Sequence, residues 1–259
     1  TSLLPTALPA AAAVVVTILV GILLGLLLER VVFRPFIGEP VLSIIIVTLA
    51  LGSILEGSIA FLFGRNFKAY PSGLTVDWSV SLPLGASIQG AYALAAVAAL
   101  AVVVLLLAFF KQSVVGSILR ASASDEQAAM ALGVSIERTV ALAWTISITI
   151  TAIGGILLAV SSGGAAFSIE TTGIIIFAAV VFGGLDSILG AFVGSIIVGL
   201  LQELGSYYLE GGTAVYVPGT GVQANLGAGF GEILPLLFLL AVIVVKPYGL
   251  FGTERIERL

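Results

Sequence analysis

The chain has 259 residues, 59% of them hydrophobic and 9% charged, with mean hydropathy +1.23. Its 10 Lys and Arg and 14 Asp and Glu cannot cover the surface of a soluble fold of this size, so it is a polytopic membrane protein. With neither cysteine nor histidine it has no disulfide, thiolate zinc site, haem ligand or common general base, and no basic tract suggests nucleic acid.

Charge-free stretches mark the crossings, each needing ~20 residues. An apolar run from Pro9 to Leu28 comes first, then Val41–Phe63, interrupted only by Glu56. Ala91–Phe110 and Thr139–Val160 follow as the third and fourth spans. Thr172–Phe182, Ile188–Leu201 and Ile233–Val245 are shorter, so they are tilted, extended by polar turns or partly re-entrant. The expected fold is therefore all-α, with about seven membrane segments in a single transmembrane domain over residues 1–259. Gly21-x-x-x-Gly25 and Gly190-x-x-x-Gly194 lie within spans and allow close helix approach.

The distribution of Lys and Arg orients these spans. Arg30 and Arg34, then Lys111, Arg120 and Arg138, and finally Lys246, Arg255 and Arg258 place three segments in the cytoplasm. Residues 202–232 and 161–173 carry neither Lys nor Arg and are expected outside; alternation places 64–90 outside as well, despite Arg65 and Lys68. The turn Gly183-Gly184-Leu185-Asp186-Ser187 is then a cytoplasmic reversal, with Asp186 or Ser187 as N-cap of the returning helix. An odd number of spans puts Thr1 outside. With Met130 the sole methionine, further sequence upstream is expected.

The cytoplasmic loop at 111–138 is long for a helical membrane domain. Ser124-Asp125-Glu126-Gln127 fits a capping box with Ser124 as N-cap, and Gly133 is placed as a left-handed C′ residue. The helix between them, Asp125 to Leu132 through Met130, spans about two turns and needs a surface to dock on. Ala128, Ala129 and Leu132 supply a small, mildly apolar face for a groove on another protein or on its own membrane domain.

Glu126-Gln127-Ala128-Ala129-x-x-x-Gly133 resembles the glutamate–alanine–alanine–glycine loop of ABC-importer permeases. Three further segments resemble the branched-chain amino-acid permeases among them: Glu29-Arg30-Val31-Val32-Phe33-Arg34-Pro35, Phe182 to Gly194, and Lys246-Pro247-Tyr248-Gly249-Leu250-Phe251-Gly252. The resemblance implies a pore subunit moving substrate inward by ATP-driven alternating access in a prokaryotic plasma membrane. It implies a second permease subunit, identical or homologous, two cytoplasmic ATPases that bind ATP and Mg, and an external binding protein. The cargo it implies is a branched-chain amino acid, or in relatives urea, short amides or other amino acids. No cofactor is expected on this chain, and membrane lipid is its remaining partner. Asp186 stands where glycine is common and Gln127 where glutamate is; the family's asparagine–phenylalanine–alanine–histidine-like opening segment has no match.

Polar groups at membrane depth are the candidates for the translocation path. Glu56 is the one acid within a long span, either lining the path or bonded near its outer end. Thr145, Ser147, Thr149 and Thr151 alternate with apolar residues, and such hydroxyls usually bond to the backbone four residues back. Glu170 and Thr171 open a short segment where a broken helix would expose backbone to a ligand. A stand-alone channel or secondary carrier is the rival reading, but a carrier needs titratable midplane groups, and a docking helix serves it no purpose. No residue pattern supplies a catalytic or metal constellation. The Gly-rich segment 211–231 lacks the Gly-Lys-Ser/Thr ending of a phosphate loop.

Overall fold

The computed structural model describes residues 10–69, 78–81, 87–165, 169–210, 215–216, 223–224, 229–246 and 248–252. They form two compact units that divide between Phe167 and Ser168. The first holds α1 (Ala10–Leu28), α2 (Val41–Phe63), α3 (Gly90–Gln112), α4 (Val114–Ser124), α5 (Glu126–Ala131) and α6 (Ile136–Ser161). The second holds α7 (Ile169–Gly183), α8 (Ile188–Gly205) and α9 (Phe230–Val245). Seven of these helices are apolar and correspond to the seven stretches read from the sequence, and the chain is an all-α polytopic membrane protein. Five reach spanning length; α7 and α9, with 15 and 16 residues, extend only ~22–24 Å against a hydrocarbon core of ~30 Å.

Loops fold into short antiparallel pairs that the sequence reading did not foresee. β1 (Lys68–Ala69) pairs with β4 (Gly164–Ala165), and β2 (Ser79–Ser81) with β3 (Ser87–Gln89). In the second unit β5 (Val215–Tyr216) pairs with β6 (Gln223–Ala224). The β1–β4 pair matters for topology: it joins the chain just after α2 to the chain just after α6, so those two helix ends share one side of the membrane.

The first unit is built around an antiparallel α1–α6 seam. Gly21, Gly25, Glu29 and Phe33 recur every four residues and are all buried, forming one column down the helix. A Cβ at Gly21 would stand 3.1 Å from the Ala152 Cβ, and one at Gly25 2.9 Å from the Thr145 Cα. The two backbones therefore touch where only glycine permits it, as the Gly-x-x-x-Gly spacing predicted. Further along, Phe33 stacks on Trp144 with centroids 3.7 Å apart and planes at 9°, and Arg34 pairs with Glu137.

The charged stretch Glu29–Pro35, between the first two apolar runs, stays helical. The helix continues as a π segment over Glu29–Phe33 and a 3-10 segment over Arg34–Phe36, and reverses only at Gly38, whose φ is +89°. Pro35 has no N–H for the α ladder, so the hydrogen-bonding pattern changes around it and the helix ends one residue later.

The second unit is held by a second glycine seam. A Cβ at Gly190 or Gly194 would strike the Gly183 or Ala179 carbonyl, so α7 and α8 also pack backbone to backbone. Ala179, Phe182 and Val198 form the buried centre, with Leu239, Val242 and Leu250 packed around it and Phe238 tilted against Phe182 at 5.5 Å. Ser187 caps α8, its Oγ accepting the Gly190 N–H at 2.9 Å, which selects between the two caps the sequence allowed.

Candidate functional site

The loop at 111–138 folds as two short helices on one end of α6. Ser113 caps α4, its Oγ accepting from the Gly116 N–H at 2.8 Å; this helix was not read from the sequence. Ser124 is the last residue of α4, its hydroxyl donating to the Arg120 carbonyl at 3.0 Å, so it does not cap the second helix. Asp125 does: its backbone is extended at φ −152°, and its Oδ1 accepts the Ala128 N–H at 2.8 Å. A carboxylate is a stronger acceptor than a hydroxyl and suits the positive end of a helix, so the cap falls one residue later than the capping-box spacing suggested. Gln127 becomes the second helical residue, and the reciprocal bond of a capping box does not form.

The other end of α5 follows the sequence reading. Gly133 lies at φ +87°, its N–H donates to the Met130 carbonyl at 2.9 Å, and the Val134 N–H donates to Ala129 at 3.0 Å. These two bonds are a Schellman closure, which requires the left-handed residue. The faces of α5 are distributed differently from the expectation. Ala129, only 3% exposed, packs inward, whereas Met130 and Leu132 stand out at 50% and 86%. The surface available to a partner is thus Met130 and Leu132, with Glu126, Gln127 and Ala128 beside them.

The structure places the candidates at membrane depth as follows. Thr145 and Thr149 line an apolar cleft of about 410 Å³ between α1, α3 and α6, together with Ile22, Leu106, Phe109 and Ile150. Their hydroxyls donate to the Ala141 and Thr145 carbonyls, both at 2.7 Å, so their methyl groups are what they offer the cleft. Thr151 likewise bonds to the Ser147 carbonyl at 2.9 Å. Glu56 lies in the last two turns of α2, half-buried, with Arg65 3.6 Å from its Oε1. It has an ion-pair partner near the helix end. The guanidinium comes from the following loop, a partner not evident in the spacing. Glu170 and Thr171 fall in the first turn of α7, and their side chains lie outside the described residues.

The acid that the sequence reading passed over is Glu29. It is 4% exposed in the α1–α6 seam, and its Oε1 has no hydrogen-bond partner. Its place four residues after Gly25 and four before Phe33 was the available signal, obscured because the first apolar run was ended at Leu28.

Two of the four recognised segments turn out to be one structure. After α9 the chain doubles back as a strap: the Leu250 N–H donates to the Phe182 carbonyl at 2.9 Å and the Phe251 N–H to Gly183 at 3.0 Å. These are carbonyls that the end of α7 leaves without partners, so the strap caps that helix. Lys246 Nζ donates to the Leu250 carbonyl at 2.9 Å, and Gly249 and Gly184, at φ +79° and +107°, let the backbones meet.

Span-length apolar helices, glycine seams and a capped two-helix loop define a multi-pass membrane protein. A family model described as the permease component of branched-chain amino acid transport systems matches residues 1–245, and the chain belongs to that family. It is 28% identical over 233 residues to the high-affinity branched-chain amino acid transport permease LivH of Escherichia coli, covering 89% of this chain and 70% of that one. The probable LivH of Methanocaldococcus jannaschii is 28% identical over 224 residues, covering 83% and 66%. The permease BraD of Pseudomonas aeruginosa is 25% identical over 236 residues, covering 89% and 70%. No solved structure matches the chain.

Proposed function

We propose that this chain is a pore subunit of an ATP-driven, binding-protein-dependent importer of branched-chain amino acids, working as one of two permease subunits with two cytoplasmic ATPases. The observation that carries the reading is α5. A helix of six residues has no stability of its own, yet this one is closed at both ends by dedicated caps and presents Met130 and Leu132 outward. Such a feature suits a protein groove. It sits on the chain between α4 and α6, so a push on α5 reaches α6 directly and α3 through α4. The apolar lining of the α1–α3–α6 cleft suits aliphatic side chains, and selection belongs to the external binding protein. Membership of the permease family supports the cargo, and the names of the relatives are its source.

Reconstitution with its ATPases, second permease subunit and binding protein tests the proposal. Leucine, isoleucine or valine should enter vesicles only with ATP on the ATPase side and binding protein on the other. Uptake driven by an ion gradient without ATPase chains would establish a secondary carrier instead, and uptake of short amides alone would replace the cargo.

A further inference from the structure

We propose that the open cleft between α4, α5, α6 and the turn between the first two spans binds a small aliphatic ammonium compound. It measures about 550 Å³, within the ~300–1,000 Å³ usual for small-molecule sites. The stacked Phe33 and Trp144 rings line it, with Leu119 and Val140 continuing the apolar wall. Its polar groups are few and of one kind. Glu39 and Glu126, both exposed, are its acidic lining residues, and no Lys or Arg is among the lining. The Thr139 hydroxyl is already committed to the Ser135 carbonyl at 3.0 Å. The Ser122 hydroxyl is not: its Oγ is buried, lines this cleft and has no hydrogen-bond partner.

A buried hydroxyl without a partner is costly, and here the missing partner has room to sit. An ammonium group offers three donors and no acceptor, matching a hydroxyl lone pair and two carboxylates. The aromatic rings attract a cation as well, and the apolar wall takes a hydrocarbon body. An anion meets only like charge. A zwitterionic amino acid brings a carboxylate for which the lining holds no base, so its amide should bind more tightly than the free acid.

The site borders two elements of the first unit. Glu126 is the first residue of α5, and Glu39 lies in the turn before α2, so an ammonium held by both ties the short helix to the first two spans. Slower transport on occupancy rests on the coupling role proposed for α5; the binding itself does not.

Trp144 is one of two tryptophans, so Trp78→Phe leaves it as the sole reporter, lining the cleft. The purified full-length chain in mild detergent is titrated with isoamylammonium, isoamyl alcohol, isovalerate, leucinamide and leucine while Trp144 fluorescence is followed. The expected result is a saturable change with the ammonium, at least about tenfold weaker for the alcohol and none for isovalerate, with leucinamide ahead of leucine. Glu39→Gln with Glu126→Gln should weaken ammonium binding by about tenfold or more, and Ser122→Ala by a few-fold. Equal response to alcohol and ammonium, an undiminished response in the double variant, or no saturable response overturns the proposal. If Trp78→Phe does not fold, the wild-type chain is titrated against Trp144→Phe as blank. A response that survives in Trp144→Phe arises elsewhere and also overturns it.

Discussion

At the scale of single residues, Gly133 and Glu29 are under opposite kinds of strain. A Cβ at Gly133 would meet nothing within 4 Å, so any cost of substitution there comes from the backbone alone. Holding a residue with a Cβ in the left-handed region costs about 1–2 kcal/mol, and a β-branched one pays the most. Gly133→Val should therefore misdirect the exit of α5 while the membrane helices still insert, and Gly133→Asn should be milder, since Asn tolerates this region. In the reconstituted importer the Val variant should lose stimulation of ATP hydrolysis by the loaded binding protein. Full stimulation and normal uptake would remove α5 as the coupling element. Glu29 is the reverse case, a polar group without a full set of partners in a packed seam. Replacing it by the similarly sized Met should raise thermal stability in detergent by about 1–3 kcal/mol, because a buried unsatisfied group is removed. A gain in stability accompanied by loss of uptake would mark Glu29 as retained for transport, and a loss of stability would show that its carboxylate is satisfied in the membrane.

At the scale of elements, the glycine seams decide which helices touch. A Cβ at Gly25 would stand 2.9 Å from the Thr145 Cα, whereas one at Gly154, in the same unit, would have nothing within 4 Å. Gly25→Leu should cost about 1–3 kcal/mol by overpacking, and Gly154→Ala should stabilise by about 0.5–1 kcal/mol; thermal unfolding of the two variants measures the opposite signs. In the second unit, a Cβ at Gly249 would stand 2.6 Å from the Val181 carbonyl oxygen and 2.7 Å from the Gly184 nitrogen, at a φ of +79°. Gly249→Val should detach the strap, leave the Phe182 and Gly183 carbonyls bare and make the chain after Val245 sensitive to protease; unchanged cleavage would mean that the strap is held by other contacts. The seams were legible in advance because a four-residue glycine spacing has only one geometric use in a membrane helix. The strap was not, because nothing local says that Leu250 will meet Phe182, 68 residues earlier in the numbering (250 − 182). The α5 cap was half legible: Gly133 is dictated by backbone sterics, while Ser124 and Asp125 are both good caps, and the choice between them depends on where α4 stops.

At the scale of the whole chain, span order and charge were readable because hydrocarbon admits few alternatives, whereas the pairing of Glu56 with Arg65 and the burial of Glu29 depend on how helices end, which composition does not specify. The remaining question at this scale is which side each loop faces. α6 has 26 residues, ~39 Å of helix, which exceeds the ~30 Å core and puts its two ends on opposite sides of the membrane. The β1–β4 pair gathers the outer end of α6 with that of α2, and the antiparallel α1–α6 seam brings Arg34 to Glu137 at the opposite end. By the distribution of Lys111, Arg120 and Arg138, that opposite end is the one expected in the cytoplasm. Because the chain is cysteine-free, single cysteines can read this directly. Gln127 in α5 and Ser162 just beyond α6 are both exposed, so each tolerates the replacement and reaches a reagent. In intact cells a membrane-impermeant thiol reagent should label Ser162→Cys and leave Gln127→Cys untouched until the membrane is opened. Labelling of both from outside would place α5 on the external face, where no ATPase reaches it. Labelling of Gln127→Cys alone would invert the chain and leave the charge asymmetry of its loops without an explanation.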